Sequence, residues 1–166
     1  LTSSGGPPPP NPQRPGLPAA GQRRRLVMAG PCGQVSHGRD FTRQALLDWQ
    51  WLTDRTPSRQ ESIDEVLLLV SELLANASLH AGGPRELILH ATPTVLRIEV
   101  FDGDPGVPQP RPHHHPALPG GHGLRIVEHL SDRWGVTTRE AGKTVWVEVA
   151  TTRFDSVTDI GSGHQK

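Results

Sequence analysis

Within the largely apolar run LLLVSELLANASLHAGG, Glu72, Asn76 and His80 recur at steps of four. On a helix that spacing lines them along one face, each turned about 40° from the last. A carboxylate and an amide in such a run are costly to bury unless something pairs with them. Two readings stand. The residues mark the edge of a solvent-facing stripe, or Asn76 ligates a hard cation while Glu72, one turn away, acts on a water or hydroxyl. His80 fits a helix-end group that bonds a carbonyl better than it fits a catalyst.

Three further segments carry residue types that could complete a site. In RIEVFDGDPG, strand phase puts Asp102 on the face of Leu96, Ile98 and Val100, the candidate core face. An inward carboxylate at a strand end, followed by Gly103 and Gly106, can accept a hydrogen bond from a ligand over the sheet. An amino group such as adenine N6 would suit it; the alternative is a turn-initiating Asp before Gly. Asp104 reads as a loop residue. Gly120-Gly121-His122-Gly123-Leu124-Arg125 falls where a helix begins, and bare amides beside glycines make a phosphate cradle. Arg125 either reaches a phosphate oxygen or points to solvent. Gly142-Lys143-Thr144 is not a P-loop, because Thr137 stands where the first Gly is needed and a strand pattern follows. Thr144 is expected to start a strand and place its hydroxyl beside Asp102.

Two other features are set aside. Consecutive His113, His114 and His115 in a proline-rich stretch cannot easily converge on one ion. Cys32, the single cysteine, has no partner for an intrachain disulfide or a zinc knuckle.

The elements that must hold these groups follow from periodicity. Phe41, Ala45, Trp49 and Leu52 predict a first helix from about Arg39 to Leu52. Ser58-x-x-Glu61 resembles a capping box opening a second helix, which Gly82-Gly83 stops. Residues 87–91 and 96–101 alternate about a Thr92-Pro93-Thr94 turn and predict an antiparallel hairpin. Leu124, Val127 and Leu130 mark a third helix. Trp134 to Arg139 and Thr144 to Val149 form a further strand pair. The order ααββ, irregular stretch, αββ suits an α+β two-layer sandwich with helices on one face of a mixed sheet.

Length and composition bound the rest. The 166 residues suit one domain, and 17 basic against 17 acidic residues argue against a chain that coats nucleic acid or an anionic membrane. Seven prolines between Pro7 and Pro18 predict a disordered tail over 1–25. The folded body is expected over 26–152 and a flexible tail over 153–166. Six prolines between Gly103 and Gly121 forbid a helix or central strand there, and the position suggests a lid over a site. No apolar run approaches the roughly 20 residues of a membrane span, so a soluble cytoplasmic protein is expected.

Taken in order, these motifs resemble the GHKL ATPase superfamily: E-x-x-x-N on a helix, strand-ending Asp-Gly with a nearby Gly, G-x-G-L opening a helix and G-K-T opening a strand. Within it, SELLANASLHAG, GGHGLRIVEHLSDRWG and GKTVWVEV look most like the small bacterial anti-sigma-factor serine kinases and their actinobacterial relatives. The resemblance spans about Arg39 to Val149. It implies the Bergerat ATP-binding fold, with a mixed, mostly antiparallel sheet, and ATP and Mg²⁺ as cofactors. By that resemblance Asn76 holds Mg²⁺ against the phosphates, Glu72 is the general base, and Asp102 binds adenine N6. Gly106 lies at the adenine wall, and Thr144 supports the Asp102 contact. Gly121, Gly123, Leu124 and Arg125 belong to the phosphate end.

The same resemblance implies transfer of the ATP γ-phosphate to a serine of an anti-sigma-factor antagonist, with a sigma factor and a second copy as further partners. The alternative is an ATP-dependent switch that captures a regulator without phosphotransfer. Asp104 stands where the family's D-x-G-x-G pattern has its middle Gly. The lid carries no lysine, which leaves phosphate clamping to amides, Mg²⁺ or Arg125.

Overall fold

The structure, a computed structural model, describes residues 17, 20–30, 32–52, 56–80, 82–106 and 123–155. Five strands form one sheet in the order β1-β2-β3-β5-β4: β1 (Gln22–Val27), β2 (Pro84–Ala91), β3 (Val95–Asp102), β4 (Arg133–Arg139) and β5 (Gly142–Ala150). Every pairing among them is antiparallel, so the expected mixed sheet is antiparallel throughout these strands. Helices α1 (Gln34–Asp48), α2 (Pro57–His80) and α3 (Gly123–Leu130) complete the expected α+β fold. No helix of the described residues is long and apolar enough to cross a membrane.

Period-two alternation decides which strand residues meet the helices. Leu87, Leu89 and Ala91 of β2 pair with Val100, Ile98 and Leu96 of β3. Val145, Val147 and Val149 of β5 continue that face. These side chains pack with Val66, Leu69, Val70, Leu73 and Leu74 of α2 in one buried core. The opposite face carries Arg97, whose guanidinium lies 4.1 Å from the Trp146 ring centre and pairs with Glu99 and Glu148.

Five boundaries differ from the periodic expectation. The tail assigned to 1–25 gives up Gln22–Arg25 to β1. Arg24 reaches Asp48, Arg25 reaches Glu86, and the strand backbone pairs with β2. The remainder of that tail lies outside the described residues, except that Leu17 joins the core and Ala20 and Gly21 precede β1. Helix α1 begins before Arg39 and stops before Leu52. Gln50 takes φ +58°, and the Trp51 amide bonds the Leu46 carbonyl (2.9 Å) while the Gln50 amide bonds Leu47 (2.9 Å). That is a left-handed C-terminal cap, which turns Trp51 back into the core.

Helix α2 opens with Pro57 in its first turn, and Gln60 donates to the Thr56 carbonyl at 3.0 Å. Ser58 therefore sits inside the helix instead of capping it. At the far end, Phe154 belongs to the body, not to a tail from 153. It is buried and stacks on Trp51 with ring centres 5.0 Å apart. Residues 156–166 lie outside the described residues.

Candidate functional site

Helix α2 sets the first group of side chains. Its apolar stripe docks on the sheet, Ser71 turns toward α1 to receive Arg39 (2.9 Å), and Glu72 turns toward α3. A side-chain carbon added to Gly123 would stand 2.7 Å from Glu72 Oε2, so the carboxylate lies directly against the first turn of α3. The bare amides and positive dipole end of a helix favour an anion there. Asn76 follows one turn along α2. Glu72 and Asn76 are half-buried, and neither has a hydrogen-bond partner among the described residues, which leaves both side chains available to a ligand. His80 ends α2 as expected.

The second group forms where β3 ends. Asp102 is 1% exposed and lies on the inner face, as strand phase requires. Its Oδ1 accepts from the Asp104 amide (3.0 Å) and from Lys143 Nζ (3.0 Å). Lys143, 3% exposed, also donates to the Asp104 carbonyl at 2.9 Å. The Asp104 side chain folds back to accept from the Gly106 amide (2.9 Å). Asp104 is a loop residue as expected, and its carbonyl and carboxylate tie the turn after β3 to Lys143 and Gly106.

Lys143 is the residue that the motif reading missed. It pairs in register with Asp102, so both side chains emerge on the same face, in phase with Val145 and Val147. Thr144 pairs with Phe101 and emerges on the opposite face. The hydroxyl expected beside Asp102 is therefore on the wrong side of the sheet, displaced by one step of the pleat. Gly142 explains how Lys143 comes so near. At φ +142°, it lets β5 run against the Asp102 carbonyl oxygen, where any side chain would collide.

Chain connectivity brings the two groups to one end of the sandwich. Pro84 pairs with Asp102 and follows His80 by four residues, a span of at most about 14 Å. Asn76 lies one helical turn, roughly 6 Å, before His80. The Gly83 amide also bonds the Ala77 carbonyl (3.1 Å), which ties the end of α2 carrying Asn76 to the strand start that pairs with Asp102. Gly123 adjoins Glu72, Leu124 beside it is buried, and Gly106 lies at the Asp104 turn. Arg125 is exposed and lines an open surface groove of about 690 Å³ with Leu68, Ile126 and His129. Gly121, most of the lid assigned to 103–121, and His113–His115 lie outside the described residues.

The donor set bears on which cation could be held. Among the described residues no three His, Cys, Asp or Glu side chains converge into a cage. A single amide beside a carboxylate fits an ion that keeps its waters and takes phosphate oxygens, as Mg²⁺ does. A buried strand-end carboxylate with one unused oxygen fits an exocyclic amine.

No curated protein matches the chain at a significant level. Residues 39–149 match the family model of the histidine kinase-like ATPase domain, a span that includes both groups of side chains. With that span covering most of the chain, and an α+β fold to match, the protein belongs to the histidine kinase-like ATPase family.

Proposed function

We propose that this chain is an ATP-binding regulatory protein-serine kinase of the anti-sigma-factor type, acting on a serine of an anti-sigma-factor antagonist. The observation that carries the proposal is the shared edge of the sandwich. There the available Asn76 amide lies on the side of the sandwich where β3 ends at the buried Asp102, and the Glu72 carboxylate, one turn back along α2, meets the first turn of α3. Phosphoryl transfer asks mainly for positioning and charge neutralisation, and this arrangement offers both. Bound ATP supplies the phosphoryl group, and Mg²⁺ neutralises its charge.

Asp102 accepts a hydrogen bond from the adenine amino group and fixes the base end. Asn76 would hold the cation, and Gly123 leaves room for backbone amides beneath the phosphates. Glu72 orients the incoming serine hydroxyl and takes its proton at the carboxylate oxygen. General-base help of this kind contributes roughly 10²–10⁴ in rate.

The test is a labelled-ATP transfer assay with candidate antagonist proteins, run beside calorimetric ATP binding. Glu72→Ala should bind ATP nearly as the unaltered chain does and lose transfer by about that factor. Asn76→Ala should lose the Mg²⁺-dependent part of binding. Normal transfer by Glu72→Ala contradicts its assigned role. ATP binding with no transfer by the unaltered chain would instead mark an ATP-dependent switch that captures its partner.

A further inference from the structure

The buried ion pair between Lys143 and Asp102 has no part in the proposed phosphoryl transfer, yet it sits at the base end of the site. A lysine held at 3% exposure is costly unless its charge and its three N–H donors are satisfied. Two donors are used, on Asp102 Oδ1 at 3.0 Å and the Asp104 carbonyl at 2.9 Å. The third makes no hydrogen bond among the described residues; the Asp104 carboxylate, at 3.7 Å, is beyond hydrogen-bond length. Asp102 is similarly half used: both of its donors converge on Oδ1, and Oδ2 receives none from the described residues. The pair therefore offers one acceptor oxygen next to one donor proton.

We infer that Lys143 is a base-reading residue: it donates to adenine N1 while Asp102 Oδ2 accepts from the neighbouring N6 amine. This rests on the ATP-binding reading above and adds a second determinant to it. Asp102 alone recognises only a donor, and any exposed N–H would satisfy it. Asp102 with Lys143 recognises a donor and an acceptor side by side in a fixed order, which is the order on the Watson–Crick edge of adenine. A 6-oxopurine presents the reverse order, so in the same pose it sets a carbonyl oxygen against the carboxylate and an N–H against the ammonium. Sites that hydrogen-bond a substrate group reject an analogue lacking it because their own polar groups are left unpaired.

The experiment is calorimetric titration of the full chain with ATP and with 1-deaza-ATP, in which a C–H replaces N1 and the amine remains. Loss of a hydrogen bond from a charged donor should weaken 1-deaza-ATP by roughly 10- to 100-fold. In Lys143→Met the two nucleotides should bind within about twofold of each other. Because that variant strips a buried ion pair and could fail to fold, the comparison of nucleotides on the unaltered chain carries the test by itself. Equal binding of both nucleotides by the unaltered chain overturns the role of Lys143 and leaves the ATP site standing. A ratio that persists in a folded Lys143→Met protein also overturns it. Failure of the unaltered chain to bind ATP overturns the ATP reading and this inference with it.

Discussion

Replacing Gly123 by Ala displaces the proposed base without substituting it. The added methyl would stand 2.7 Å from Glu72 Oε2, whereas ordinary contact needs roughly 3.4 Å, so the carboxylate must retreat by about 0.7 Å. What must move is the far end of a flexible side chain, and Gly123 lies outside the left-handed region that would strain an Ala. Helix propensity favours Ala over Gly by up to about 1 kcal/mol in a helix interior, and by less at a helix start. The net change in folding stability should therefore stay within about 1 kcal/mol. Catalysis is less forgiving, since a misplacement on the order of 1 Å can cost about 10²-fold. Urea unfolding should show little change, calorimetry should show ATP affinity altered only a few-fold, and labelled phosphotransfer should fall about 10- to 100-fold. Combined with Glu72→Ala, the Gly123 substitution should add no more than its few-fold effect on ATP affinity, because its further effect on transfer runs through Glu72. Undiminished transfer by Gly123→Ala would refute the placement of Glu72 at the reacting phosphate.

Other substitutions test the supports of the site and the fold. Gly142→Ala puts a side chain onto the Asp102 carbonyl at φ +142°. It should cost about 2–4 kcal/mol in urea unfolding, and an unchanged midpoint would mean that the β3–β5 approach is looser than described. Burial pushes the Asp132 carboxyl up, but hydrogen bonds from the Ala150 amide and Arg153, both at 2.7 Å, hold it below the usual carboxylate range. Asp48, bonded by Arg24 and Gln44, and Glu86, bonded by Arg25, are lowered as well. Carboxyls lowered on folding contribute fully above their unfolded values, about 4, and that contribution is lost as pH falls through the folded ones. Stability should thus decline below about pH 4, and Asp132→Asn should flatten that acid limb. Because Asp132 is 43% exposed, its loss at neutral pH should be about 1 kcal/mol or less; an acid limb identical in the variant would refute its share.

The sequence made parts of this site legible because local periods report faces. Steps of four on an apolar helix brought out Glu72 and Asn76, and strand alternation turned Asp102 inward. The same alternation carries Lys143, in phase with Val145 and Val147, to Asp102. The signal that marks it is a lysine that opens a period-two series of inward valines, Val145, Val147 and Val149. Features built from distant partners were not legible. Arg24 and Arg25 fall in the segment assigned to a disordered tail because Asp48 and Glu86 stand 24 and 61 residues away. Phe154 reads as tail because the ring it stacks on is Trp51. The end of α1 depends on a left-handed Gln50, a conformation that residue type does not announce.

The central claim is that one nucleotide bridges the Asn76 and Asp102 ends of a single site. Titrating ATP and Mg²⁺ into isotope-labelled protein, and following amide resonances by NMR, tests it most directly. The Asn76 side-chain amide and the backbone amides of Gly103, Gly123 and Gly142 should shift together, along one binding curve with one dissociation constant. Shifts confined to one of the two groups, or separate curves for each, would contradict a shared site.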